Sequence, residues 1–353
     1  MRILVINPGS TSTKVAVYEG EKCVYKEVIV HRTWDADGKQ GIISQYEERL
    51  QAITKVLNDH NFAVSDFDAI AARGGLLAPL TGGTYIINEA MYNDLYTCKY
   101  GEHASNLGGI MAFNLGRKYN IPAYTVDPVS IDEFEDLARF SGMPELPRVS
   151  VAHNLNMRAV GRKVAASLGG KFSDFNFIIV HLGSGISVAP FRRGRMIDVN
   201  NANNEGPFSL ERCGTLPCVS LIKLCYSGAF TLNEMLAKAT RRGGLFAYLG
   251  TKDFTQVEQM LARNEEKAST VVRAMCYQIA KEIGAMATVL YGNVDRIILT
   301  GGIAHSEYVV REITSRVAFI APVVTVPGEE EMEALALGVL RVLRGEEQPL
   351  SYA

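Results

Sequence analysis

Short uninterrupted apolar runs, each broken by glycine and hydroxyl residues, punctuate the chain. Ile3-Leu4-Val5-Ile6 leads into the polar stretch Asn7-Pro8-Gly9-Ser10-Thr11-Ser12-Thr13-Lys14, and Val15-Ala16-Val17-Tyr18 then runs on to Gly20. Phe177-Ile178-Ile179-Val180 leads through His181-Leu182-Gly183-Ser184-Gly185 into Ile186-Ser187-Val188-Ala189, and that segment closes at Gly194. Each set predicts a buried strand, a tight turn and a second strand. Gly9-Ser10 and Gly20 reappear as Gly183-Ser184 and Gly194 at one constant offset of 174 residues. A repeat held in the same strand–turn–strand frame predicts two similar halves.

Between these strands the period changes to that of a helix. Leu50, Ile53, Val56 and Leu57 make one face of a helix in the first half. In the second half, Val272, Met275, Ile279, Ile283, Met286 and Leu290 step by three and four along a long one. Ile297-Ile298-Leu299-Thr300 predicts a buried strand that breaks at Gly301-Gly302 before Ile303. Pro327-Gly328 followed by Glu329-Glu330-Glu331 predicts a helix start, with acidic residues complementing the dipole of the first turn. Turn formers concentrate at residues 140–147, which makes that segment the expected boundary between the halves. The pattern is that of an α/β protein with mixed sheets, helices on their faces and a cleft between two lobes.

Composition narrows the function. The 353 residues favour two domains. With 36 basic and 38 acidic side chains the formal charge is −2, which argues against a nucleic-acid footprint. Cys23, Cys98, Cys213, Cys218, Cys225 and Cys276 contain no C-x-x-C pair and no zinc-ligand spacing, so they are expected to be reduced core residues. The apolar run after Met1 is four residues long, too short for a secretory h-region, and no membrane-length run follows. The expectation is a cytoplasmic protein with no membrane or nucleic-acid partner.

The turn at residues 7–14 combines an amide, a glycine, four hydroxyls and a lysine after a buried strand. Glycine admits close backbone approach, hydroxyls and amides donate to oxyanions, and lysine adds charge, which are the parts of a phosphate cradle. A solvated hairpin turn is the competing reading. Neither G-x-x-x-x-G-K-[ST] nor a strand-to-helix G-x-G-x-x-G occurs, so P-loop and dinucleotide-binding chemistry are not indicated. Together with His181-Leu182-Gly183-Ser184-Gly185 and Thr300-Gly301-Gly302-Ile303, the first turn makes three glycine-bearing strand ends, enough to surround a nucleotide.

The succession N-x-G-S-x-S-x-K, R-G-G, H-L-G-S-G and T-G-G-I resembles the acetokinase family, within the acetate and sugar kinase, chaperone and actin superfamily. The resemblance spans nearly the whole chain, and the turn variants at residues 7–14 and 181–185 look most like the butyrate kinase branch. It implies two lobes, each with a βββαβαβα actin-like, ribonuclease-H-like core, and an active-site cleft between them. Residues 1–148 with 329–353 would form one lobe, the tail helix returning to it, and residues 149–328 the other. The implied reaction is reversible transfer of the γ-phosphoryl group of ATP, with Mg²⁺, to a short-chain carboxylate, most closely butyrate. The implied partners are the carboxylate and ATP or ADP, and the implied assembly is a homo-oligomer, at least a dimer.

The same resemblance assigns roles. Arg73 would lie beside the acyl carboxylate, Arg212 would contact the transferring phosphoryl and His153 would steady it, with Asp127 nearby to orient arginine or metal. Asn7, Gly9, Ser10, Ser12, Lys14, His181, Gly183, Ser184 and Gly185 would hold phosphates, and Asp253, Gly301, Gly302 and Ile303 would lie near adenosine. Asn7 and Glu331, with Glu330 one register away, would arrange Mg²⁺ through oxygen ligands and waters. Acetate kinases commonly carry valine where this chain has Gly75 and phenylalanine where it has Ala152. Both exchanges would open a pocket beside Arg73 for a longer acyl tail, unless Gly75 merely serves a tight turn. Acetate, propionate and branched-chain acid kinases are the alternatives in chemistry, and a non-catalytic actin-like ATPase module is the alternative in class.

Overall fold

The computed structural model describes residues 1–31 and 41–353, and the chain divides into two units. The first begins with an antiparallel meander of β1 (Arg2–Pro8), β2 (Ser12–Glu19) and β3 (Lys22–Val30). There follow α1 (Tyr46–Asp59), β4 (Ala69–Ala72), β5 (Thr84–Ile86), α2 (Glu89–Tyr96), α3 (Asn106–Tyr119) and β6 (Ala123–Val126). The second unit holds α4 (Asn154–Ser167), then the strands β7 (Asn176–Leu182), β8 (Ile186–Arg192) and β9 (Arg195–Met196). The short helices α5 (Cys218–Cys225), α6 (Leu232–Thr240), α7 (Gly244–Leu249) and α8 (Phe254–Ala262) precede the long α9 (Glu266–Val289). β10 (Arg296–Gly301), α10 (Glu307–Val317) and β11 (Val323–Pro327) complete it, after which α11 (Glu331–Leu343) and β12 (Leu350–Ser351) belong to the first unit again.

The two sheets share one strand order. In the first, β3-β2-β1-β4-β6 continues into β5 and β12; in the second the order is β9-β8-β7-β10-β11. β1 and β7 are parallel to their inner neighbours β4 and β10 and antiparallel to β2 and β8. The 174-residue offset seen in the sequence is the offset of the strands themselves: β1 and β7, and the starts of β2 and β8, coincide under it. Ile3, Leu4, Val5 and Ile6 are all fully buried, as are Phe177, Ile178, Ile179 and Val180. A strand covered on both faces needs such a continuous apolar run rather than alternation.

Helices supply the cover. In α9 Val272, Met275, Ile279, Ile283 and Met286 form the buried stripe, packed on the core with Ile178, Val180, Ile297 and Leu299. The opposite face of that sheet is covered by α4 through Met157, Val160 and Val164, against Ile179, Ala189 and Ile298. In chain order α4 comes after β6 of the first unit and α11 after β11 of the second, so each unit is closed by the helix that follows the other's last core strand. Among the described residues no helix is long and apolar enough to cross a membrane.

Two expectations need correction. The division falls after Ile131, not near residue 148. Residues 132–148 are fastened to the second unit: Glu133 pairs with Arg158, Phe134 enters the core, Glu135 N donates to Ile197 O at 3.0 Å and Arg148 pairs with Asp198 at 2.9 Å. The turn-rich segment 140–147 is therefore a surface excursion of that unit. The cysteines are all free, but only Cys276 is buried, while Cys23, Cys218 and Cys225 are exposed.

Candidate active site

In the first unit the expected residues gather where β1, β4 and β6 end. Open α/β sheets place ligands at the carboxyl ends of parallel strands, because the chain there turns away and leaves amides and side chains convergent. Asn7, at the end of β1, is buried and its Nδ2 donates to Oε2 of Glu331 at 2.8 Å. Arg73, just past β4, pairs through Nη1 with the other carboxylate oxygen of Glu331. Glu331, rather than Glu330, thus reaches both residues, because it opens α11 over the strand ends. His103 completes this group. Burial first, and the charge of Arg73 second, push its imidazole pKa below the ordinary value, and Nδ1 accepts from Ser105 N at 3.2 Å.

The turn after β1 is compact. Gly9 N donates to Ser12 O at 2.7 Å, Ser10 is exposed, Ser12 is half-buried, and exposed Lys14 lies opposite Asn7 in the β1–β2 pairing. Its carbonyls are held from behind by Arg49 of α1, which is 1% exposed. Arg49 sits one turn before Ile53 and two before Leu57 on the buried face of α1, and a charged residue on that stripe is the signal that could have found it.

In the second unit, His181 is the penultimate residue of β7, stacked on His153 with ring centroids 3.8 Å apart and planes 8° apart. Asn156 Nδ2 lies 3.1 Å from both His181 Nδ1 and Thr300 Oγ1, and His153 Nδ1 lies 3.0 Å from Ser187 Oγ. His181 Nε2 is 3.0 Å from Oε1 of Glu329, close but not aligned as a hydrogen bond. The turn Gly183-Ser184-Gly185 opens beside this pair. A Cβ at Gly185 would stand 2.3 Å from Nη1 and 2.7 Å from Cζ of Arg212, so only glycine lets the guanidinium lie against that backbone. Among the described residues no hydrogen bond holds the Arg212 guanidinium, and burial pushes its pKa below the ordinary arginine value. It is a half-buried cation fixed beside a glycine–serine turn, which is what an anion site requires. At the end of β10, Gly301 exchanges backbone hydrogen bonds with Gly328, Gly302 opens a short 3₁₀ turn and Ile303 is buried.

Four assignments acquire a different or additional role. Asp127 is fully buried at the end of β6, where its Oδ1 accepts from Gly83 N at 2.9 Å and ties that strand end to the turn before β5. Asp253 is exposed and caps α8, accepting from Thr255 N at 2.9 Å. A Cβ at Gly75 would meet Asn106 Oδ1 at 2.1 Å and Asn106 Cα at 2.6 Å. The space beside Gly75 is therefore filled by the start of α3 and is not an acyl pocket. Ala152 is buried and belongs to the same core cluster of the second unit as Phe134, Met157 and Val199. Gly75→Ala is expected to lower stability by about 1–3 kcal/mol through overpacking, with equal losses on every acid tested. Denaturant unfolding and a rate series over acids would check it. A selective loss on longer acids with unchanged stability would restore the pocket.

Asn7 and Glu331 present hard oxygen donors, one amide and one carboxylate. Among the described residues no cluster of three or more His, Cys, Asp or Glu side chains forms a cage of its own. Those two donors fit Mg²⁺, which keeps several waters and needs only one or two carboxylates from protein.

Residues 148–323 match the acetokinase family. Three solved structures share the fold across nearly the full length of both chains. Acetate kinase of Porphyromonas gingivalis is 18% identical with a TM-score of 0.78, covering 97% of this chain and 99% of that one. A propionate kinase of Francisella tularensis subsp. tularensis SCHU S4 is 17% identical with a TM-score of 0.72, covering 96% and 98%. Acetate kinase of Entamoeba histolytica is 16% identical with a TM-score of 0.74, covering 96% and 98%.

Proposed function

The chain belongs to the acetokinase family, and from that premise we propose that it transfers the γ-phosphoryl group of ATP to a short-chain carboxylate, butyrate foremost, giving the acyl phosphate and ADP. The observation that carries this reading is Arg212, a half-buried guanidinium packed on Gly185 with no acceptor among the described residues. Phosphoryl transfer asks protein for position and charge more than for covalent help.

A carboxylate is already ionised near neutral pH, so its oxygen can attack phosphorus without a general base. One P–O bond forms, the bond to the bridging oxygen breaks, and ADP leaves with that electron pair. Arg73 would orient the acid through its planar fork, exchanging Glu331 for the substrate carboxylate. Arg212 would meet the charge spread over the transferring oxygens, and the stacked His153 and His181 would line the same place. The amides of the turn after β1 and Lys14 would hold the remaining phosphates. Asn7 and Glu331 would hold Mg²⁺, which supplies charge neutralisation on the phosphate oxygens when bound.

The preference for butyrate rests on the motif variants at residues 7–14 and 181–185. Hydroxamate formation from ATP, hydroxylamine and acids of two to five carbons tests the whole reading. Burial of each methylene contributes about 0.8 kcal/mol, so kcat/KM is expected to rise roughly fourfold per carbon up to butyrate. A maximum at acetate or propionate would reassign the substrate. ATP hydrolysis without hydroxamate on any acid would instead indicate an actin-like ATPase module.

A further inference from the structure

Arg49 directs both terminal nitrogens of its guanidinium at one place, the back of the turn that follows β1. Nη1 donates to Gly9 O at 2.9 Å, Ser12 O at 3.3 Å and Thr13 Oγ1 at 3.1 Å, while Nη2 donates to Ser10 O at 3.0 Å. Gln45 Oε1 fixes the fork from the other side, accepting from Nη2 at 2.7 Å and Nε at 3.0 Å. Thr13 Oγ1 is also 2.8 Å from His31 Nε2, and burial followed by the charge of Arg49 lowers the pKa of that imidazole.

A trans peptide unit points its C=O and N–H in opposite directions. When Arg49 gathers the carbonyls of Gly9 and Ser10, the amides of Ser10 and Thr11, which share those two peptide planes, are turned to the opposite face. Two successive amides aimed one way make an anion-binding nest. Burying an arginine among neutral acceptors is costly, and among the described residues no carboxylate pairs with it. That cost is explained if the turn must be held in one conformation.

We infer that Arg49 is a positioning residue: from inside the fold it orients the Ser10 and Thr11 amides toward the phosphates of the nucleotide, without touching the nucleotide itself. This rests on the kinase reading above for the identity of the anion.

The test compares Arg49→Lys, Arg49→Gln and Gln45→Ala with the wild type. Lysine keeps the charge but loses the fork, and Gln45→Ala leaves the arginine in place but frees its orientation. The expected result is a KM for ATP raised about 10-fold or more in both Arg49 variants and less in Gln45→Ala, with KM for the acid changed by less than about twofold. The dissociation constant for a nonhydrolysable ATP analogue, measured calorimetrically on folded protein, is expected to rise in parallel. Recovery of wild-type ATP affinity by Arg49→Lys would overturn the inference in favour of simple charge. So would a fall in melting temperature with both KM values unchanged, which would make Arg49 a purely structural residue. Wild-type protein that binds the analogue but forms no acyl phosphate would overturn the kinase reading alone, and the analogue's affinity for the variants would still decide the role of Arg49.

Discussion

Arg212→Ala is expected to lose about 10²–10³-fold in kcat, on the order of 3–4 kcal/mol of transition-state stabilisation, the loss seen when one donor to a developing oxyanion is removed. The same substitution is expected to leave the melting temperature unchanged or raised. The guanidinium is half-buried and its pKa is depressed by burial, so the fold gains little from a charge with no acceptor among the described residues. Loss of activity with retained stability is the signature of a group held for chemistry. Arg73→Ala should match it in kcat but not in stability, because it leaves Glu331 without its ion pair. Lysine at either position should restore little, lacking the fork that fits a carboxylate or a phosphoryl group. Steady-state kinetics beside thermal unfolding would check both. Near-normal kcat/KM in Arg212→Ala would remove this arginine from the reaction.

The second large effect is on the fold alone. Arg158 of α4 and Glu133 pair while only 5% and 6% exposed, Glu133 Oε2 also accepts from Met196 N at 2.9 Å, and Arg158 Nη1 donates to Gly194 O at 3.2 Å. The Arg158 guanidinium lies 5.6 Å over the ring of Phe191. Glu133→Ala removes the carboxylate that faces this buried cation and is expected to cost about 3–5 kcal/mol in the unfolding of the second unit. A paired Glu133→Met, Arg158→Met exchange is expected to recover most of that loss, since well-packed apolar side chains can replace a buried ion pair at little net cost. Denaturant titration of the three proteins would decide it. A loss below about 1 kcal/mol in Glu133→Ala would mean that water reaches the guanidinium and the pair behaves as a surface one.

How much was legible in the chain depended on the range of the interaction. The strands Ile3-Leu4-Val5-Ile6 and Phe177-Ile178-Ile179-Val180, the turns after them and the long stripe of α9 could be read directly, because burial and period are written into neighbouring residues. The 174-residue repeat likewise announced two like halves, and the sheets carry one strand order. The identity of the glycine–serine turns as anion-site candidates followed from composition, since few residue types suit that task.

What the sequence could not express were pairings between residues far apart along the chain. Glu331 meets Asn7 and Arg73 only because α11 returns to the first unit, more than 300 residues after β1. Residues 140–147 read as a boundary by composition, yet Glu133 and Arg148, on either side of them, bind that stretch to α4 and to the segment after β9. Along the chain Gly75 reads either as lost pocket wall or as a tight turn, and only the fold puts Asn106, on another element, in the space a side chain would take. Arg49, isolated from any motif, acquires its meaning only from the three carbonyls it gathers. Local pattern determined the elements, because each residue's preference for burial acts on its own segment. The site was decided by tertiary structure, because a cation acts on whatever the fold brings within about 3 Å of it, and sequence distance plays no part in that.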